Sequence, residues 1–155
     1  MKIAVVQVRG AINMTRKVKD TLKFLKLIRK NSCVIVELTD SVKGMLLKVK
    51  DYVTWGEIDK ETAKELLAKR GRIVGNKSLT ENYLKEKVKL DFDGFVNEFF
   101  EGKKKLKEIP GVKSYFRLHP PRKGYERGGI KKPFSLGGVL GYRKDTINDL
   151  IRRMI

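Results

Sequence analysis

The sequence predicts an α+β fold. A β-α-β-α-β unit spans residues 1–58, a helical segment spans 59–102, and a basic, loop-rich extension with a terminal helix spans 103–155. Three observations predict it. In the first 58 residues, short β-branched runs alternate with segments of helical apolar spacing. Through the middle, capping residues recur just ahead of apolar spacing. All four prolines fall within residues 110–133 and seven of the 14 glycines between Gly111 and Gly141, which bars long helices there.

In chain order, Ile3 to Val8 is apolar and β-branched and reads as a strand, and Gly10 to Asn13 turns the chain. Thr15 or Asn13 caps a helix expected to reach about Arg29, with Val18, Leu22 and Leu25 on one face. Lys19, Lys23, Lys26 and Lys30 form a separate stripe on it. Cys33 to Leu38 is a second strand. Asp40 or Ser41 caps a second helix with Val42, Met45, Leu46 and Val49 at core spacing. Tyr52 to Trp55 is a third strand. In the middle, Asp59 starts a helix that stops at Gly71, and Ser78-Leu79-Thr80-Glu81 fits a capping box for the next. Asp93 to Phe100 is a third helix, stopped by Gly102. The last starts near Asp145, with Ile147, Leu150, Ile151 and Met154 on one face.

Charge says what such a fold is for. The 155 residues carry 36 Lys+Arg against 18 Asp+Glu, a formal net charge of +18. Self-repulsion at that level opposes compaction unless a polyanion offsets it. The excess is uneven. Residues 1–60 are net +7, residues 61–102 are neutral, and residues 103–155 are net +11. A solubility device has no need of that asymmetry; two contact surfaces around a neutral module produce it. Residues 109–144 hold nine Lys/Arg and one acid, Glu126, so this stretch is expected to be disordered or ordered by an anionic partner.

Several functions are disfavoured. No run of about 18 apolar residues exists, so no membrane span is expected. Cys33 is the only cysteine, which excludes an intrachain disulfide and a Cys-rich zinc site, and it reads as a small core residue. His119 is the only histidine, so no metal and no cofactor are expected. Gly71 to Ser78 is similar to a phosphate-binding loop, but Asn76 stands where glycine is needed and a helix precedes it. The expected structure is a helix stop and a turn.

The lysine stripe of the first helix lacks acidic partners other than Asp20, which points to phosphate contact at Lys19, Lys23 and Lys26. In the extension, Tyr115, Phe116, Tyr125, Phe134 and Tyr142 are interleaved with basic residues. Guanidinium groups fork onto phosphates, and aromatic rings stack on bases or anchor the loop to the core. Glycines among these residues are expected to let the backbone lie close to a sugar–phosphate surface.

Two runs carry a family resemblance. One is Thr21 to Lys30 with Lys43 to Val49 and Tyr52 to Gly56. The other is Phe116-Arg117-Leu118-His119-Pro120-Pro121-Arg122-Lys123-Gly124, continuing through Phe134 to Gly138 and Gly141 to Asp145 to the final Ile151-Arg152-Arg153-Met154. The first resembles the large-subunit ribosomal protein L30 family, and the second its archaeal and eukaryotic C-terminal extension. The resemblance implies a ferredoxin-like core, a small three-stranded antiparallel sheet with two helices on one face. It implies binding of 23S-type rRNA near 5S rRNA, other large-subunit proteins as neighbours, a cytoplasmic ribosomal location, and no catalysis. Carried onto this sequence, the RNA contacts are Arg9, Arg16, Lys17, Lys43 and Lys48, and from the extension Arg117, His119, Arg122, Lys123, Arg127, Lys131, Lys132, Arg143 and Lys144. Two other readings compete. An RNA-processing or RNA-modifying enzyme needs clustered carboxylates or a nucleophile in the basic region, which offers only Glu126. A basic protein on an anionic membrane is the third.

Overall fold

The structure, a computed structural model, describes residues 1–155. Strand β1 (Lys2–Gln7) is central because both of its faces are apolar. Ile3 and Val5 point into one core, and Ala4 and Val6 into the other. It pairs antiparallel with β2 (Ser32–Glu37) and β3 (Val53–Glu57). The expected β-α-β-α-β unit is therefore present, but the sheet has five strands rather than three. The extension adds β4 (Phe116–Arg117), antiparallel on β2, and β5 (Gly141–Tyr142), parallel on β3, giving the order β4-β2-β1-β3-β5. Strands of two residues have no periodicity to read in a sequence.

Helices α1 (Arg16–Phe24) and α2 (Asp40–Val49) cover one face, where Leu22, Leu25, Leu46 and Val49 meet Ile3, Val5, Val34 and Val53. The other face is covered by α3 (Lys60–Arg70), α4 (Glu81–Val88), α5 (Phe92–Phe100) and α6 (Ile147–Met154). Its cluster of 21 buried residues joins the sheet to the middle segment and the extension: Ala4, Leu66, Phe95, Phe116 and Leu150 all belong to it.

Helix α1 ends at Phe24, five residues before the expected Arg29. Lys26 takes a left-handed φ of 61°. Its N–H donates to Lys23 O, while Leu27 N–H donates to Leu22 O at 2.8 Å. That is the Schellman stop, with Leu22 and Leu27 in the same apolar cluster. Burial of Leu27, 1% exposed, outweighs the penalty of a left-handed lysine. The expected four-lysine stripe is thereby cut, and Lys26 and Lys30 lie beyond the helix.

Caps also shift. Thr39, rather than Asp40 or Ser41, caps α2 by accepting from Val42 N–H. Thr80 caps α4 by accepting from Tyr83 N–H, and the box expected from Ser78 does not form because Ser78 bridges to Arg72. Helix α5 starts at Phe92, after Asp91. Gly71–Ser78 is the expected stop and turn, closed by the Arg72–Ser78 bridge.

The extension is tied to the rest of the protein by its own contacts. His119 N–H donates to Met154 O and Arg122 N–H to Arg153 O, both at 2.9 Å, tying the segment to α6. Val139 and Leu140 pack on Val8. Glycines serve backbone-to-backbone approach here: a Cβ on Gly138 would collide with Lys132 O, and one on Gly128 with Gly137 O. Gly124, Gly129, Gly137 and Gly141 have open space where a Cβ would stand.

Candidate nucleic-acid interface

The end of β1 brings the first cationic group together. Arg9 follows β1, lies over the Tyr52 ring at 5.1 Å, and donates through Nη1 to Asp51 O at 3.1 Å. Asp51 lines an open cleft with Lys50, Trp55, Lys131 and Tyr142. Residues from the first unit and from the extension thus share one site, with two aromatic rings between cations. Base stacking and phosphate contact both fit that chemistry. Lys50 and Trp55 are additions to the expected set. Lys50 ends α2 next to Asp51, and its sequence signal was the seven-residue spacing from Lys43. Tyr142 donates to Glu57 Oε1 at 2.5 Å, and that bond, with lesser help from burial and nearby carboxylates, pushes its hydroxyl up to about 12.

The second group lies along α1. Arg16, Lys17, Lys19 and Lys23 are all exposed, because Leu22 and Val18 take the inner face. Lys23 reaches a shallow groove shared with Lys113 and Tyr115 from the extension. Lys26 also lines it, half-buried, and its Nζ donates to Ser114 Oγ, so it fastens the extension to α1. Lys43 and Lys48 are exposed on α2.

On the extension, Arg117, His119, Arg122, Lys123, Arg127, Lys131, Lys132 and Lys144 are exposed. Arg143 is not, and it leaves the set of RNA-facing residues. It is 2% exposed, and every nitrogen is engaged inside the protein. Nε donates to Thr54 Oγ1, Nη1 and Nη2 to the Glu126 carboxylate at 2.9 and 3.2 Å, and Nη2 also to Val139 O. Its guanidinium stacks over Phe134 at 4.8 Å. Glu126, counted in the sequence only as a scarce acid, is the counter-ion of Arg143 and Arg153. Its isolation among nine cations was a usable signal: a lone acid in such a segment has an internal partner.

Partnering separates the surfaces. Of the sequence-derived RNA-binding residues, only Arg16, Lys43 and Arg143 have a carboxylate within 4.0 Å. In the middle segment, neutral overall, three of the seven lysines face carboxylates: Lys64 faces Asp93 at 2.6 Å, Lys69 faces Glu65 at 3.4 Å, and Lys85 faces Glu81 and Asp91 at 3.1 and 3.0 Å. The excess cation charge therefore stands on α1, α2 and the extension. Cys33 is fully buried, which pushes its thiol up to about 12, so it is an inert core group. No cluster of three or more His, Cys, Asp or Glu side chains is placed to hold a metal ion, and no helix is long and apolar enough to cross a membrane.

Comparison with known proteins bears on this surface. Residues 3–53 match the family described as Ribosomal protein L30p/L7e. The large ribosomal subunit protein uL30 of Methanococcus vannielii is 54% identical over 155 residues, all of both chains. That of Methanopyrus kandleri is 49% identical over 148 residues, 95% of this chain and 99% of its own. That of Nanoarchaeum equitans is 51% identical over 152 residues, 98% and 97%. The resemblance to these relatives includes the extension, which lies outside the matched family segment.

Proposed function

The chain belongs to the L30p/L7e family of large-subunit ribosomal proteins, and from that membership we propose that ribosomal RNA holds it in the subunit through the cationic surface of α1, α2 and the extension. Its role is structural, not enzymatic, and its place is the cytoplasmic ribosome. The observation that carries the RNA reading is the contrast in charge: residues 61–102 are neutral, with Lys64, Lys69 and Lys85 on carboxylates, whereas Lys17, Lys19 and Lys23 of α1 and Arg117, Arg122, Lys123, Arg127, Lys131 and Lys132 of the extension are exposed with no carboxylate within 4.0 Å.

The mechanism is scaffolding. The five-stranded sheet fixes α1 and the extension relative to each other, so their cations meet folded RNA as one rigid array. Paired RNA closes its deep groove to side chains, so phosphate and shape contacts dominate over base reading. The cleft of Trp55 and Tyr142 suits an unpaired base flanked by phosphates on Lys50 and Lys131. The RNA is of the 23S type, near 5S rRNA, with other large-subunit proteins alongside.

Sucrose-gradient fractionation tests this directly. The chain is expected to travel with the large subunit at low salt and to be stripped progressively as salt rises, because counterion release drives the association. Sedimentation free of the subunit in low-salt buffer would overturn the reading.

A further inference from the structure

We propose that the free edge of β2 takes up an extended, acidic segment of another large-subunit protein as an added β-strand; this rests on the family membership for the setting, and on the geometry of the edge for the site. Strand β4 covers β2 only at Ser32 and Cys33, so Val34 to Glu37 have no ladder partner on that side. Which groups face outward follows from the register. Leu38 N–H donates to Met1 O, so by antiparallel alternation Val36 and Val34 bond to β1. Ile35 and Glu37 therefore turn their backbone groups away from β1. Glu37 O accepts from Thr39 N–H at 3.0 Å. Ile35 N–H, Ile35 C=O and Glu37 N–H are left as an alternating row with no partner, and a strand edge in that state is a template for another strand.

The edge lies in an open groove of about 320 Å³. One wall is Phe24 and Met45 from the α1–α2 layer, the other Phe99 and Leu106 from the α5 side. Phe24 is 79% exposed, which is unusual for so large an apolar side chain beside an empty strand edge. The apolar walls and the mixed donor–acceptor row fit a polypeptide better than RNA. A second strand supplies donors and acceptors at the same alternating spacing as this row, whereas a phosphate offers acceptors alone.

Charge selects among polypeptides. Lys26, Lys105 and Lys107 line the groove. Lys2 does too, lying 4.8 Å over the Phe99 ring and 3.7 Å from Glu37, the only acid present. A second copy of this chain brings a net charge of +18 to the same edge and is repelled. A segment carrying Asp or Glu at alternate positions is attracted, with its apolar residues between the walls.

The test places a photo-crosslinking amino acid at Phe24 in the full chain, reconstituted into large subunits. The expected product joins this chain to an Asp/Glu-bearing segment of another ribosomal protein. Glu37→Pro removes one outward N–H and leaves the β1 ladder intact, since that N–H faces away from β1. It should lower the protein crosslink about tenfold or more while the chain still co-sediments with the subunit. Glu37→Gln keeps the N–H and should retain the crosslink. Amide exchange on the unsubstituted chain gives an independent reading: residues 34–37 should exchange more slowly in assembled subunits than in a complex with rRNA alone. A crosslink to rRNA, full crosslinking by a folded Glu37→Pro variant, or equal exchange in the two complexes would overturn the proposal. Failure of the unsubstituted chain to enter subunits would instead strike the RNA-binding reading.

Discussion

Arg143→Ala is expected to destabilise the fold by about 3–5 kcal/mol, the usual cost of removing one partner of a buried ion pair. Burial is the first reason. Arg143 is 2% exposed, and its guanidinium bonds to Thr54, Glu126 and Val139 at once. These partners belong to β3 and to two separate points of the segment that precedes β5, so one side chain ties the extension to the sheet. Alanine leaves the Glu126 carboxylate half-buried with only Arg153, at 3.5 Å. Arg143→Lys should recover only part of the stability, because an ammonium cannot fork onto both carboxylate oxygens.

The same pair predicts a pH dependence. Burial raises the Glu126 carboxyl, but the Arg143 hydrogen bond, a backbone N–H and the charges of Arg143 and Arg153 outweigh it. The net value lies below the ordinary carboxylate range. A depressed carboxyl stabilises the fold fully above its unfolded value of about 4.3, and the gain is lost as pH falls through the folded value. Thermal unfolding should therefore show wild type and Arg143→Ala far apart at neutral pH and closer together in acid. A constant gap across that range would remove the ion pair as the cause.

Deleting residues 147–155 is expected to abolish cooperative unfolding. Ile147, Leu150, Ile151 and Met154 are each 0% exposed in the larger core. Burying side chains of this kind contributes about 1.5–3 kcal/mol each, so the four together approach the 5–15 kcal/mol that holds a typical domain together. The deletion also removes Met154 O and Arg153 O, the acceptors that hold His119 and Arg122. Circular dichroism melting is the check. A sharp transition in the shortened chain would mean that residues 1–102 fold without α6, and that the shared core is not one cooperative unit.

Much of the fold was legible in the sequence. Ile3–Val8 and Cys33–Leu38 announced themselves because their neighbours on both sides are apolar, and α6 because its four core residues recur at helical spacing. The edge strands β4 and β5 left no signal, since two residues have no period. The end of α1 was hidden for a different reason. Leu27 and Ile28 look helical, yet the tertiary gain from burying Leu27 against Leu22 bends the chain at Lys26. In the candidate site, net charge pointed to α1 and the extension, where exposed cations stand, but could not tell Arg143 from its neighbours, because composition is blind to burial. Arg122 and Arg143 read alike in a basic stretch, and one is exposed while the other is interior.

On the proposed reading, the unpartnered cations of the extension, not basic residues in general, bind RNA. Equilibrium binding of the full chain to purified large-subunit rRNA across a range of KCl, compared between two triple variants, tests it most directly. Arg117, Arg122 and Arg127 changed to Ala should flatten the plot of log K against log salt by about 2–3, at about 0.7–0.9 for each phosphate no longer neutralised. Lys64, Lys69 and Lys85 changed to Ala remove the same charge from residues already facing carboxylates, and should leave the slope unchanged. Equal flattening in both variants, or an unaltered slope in the first, would contradict the account.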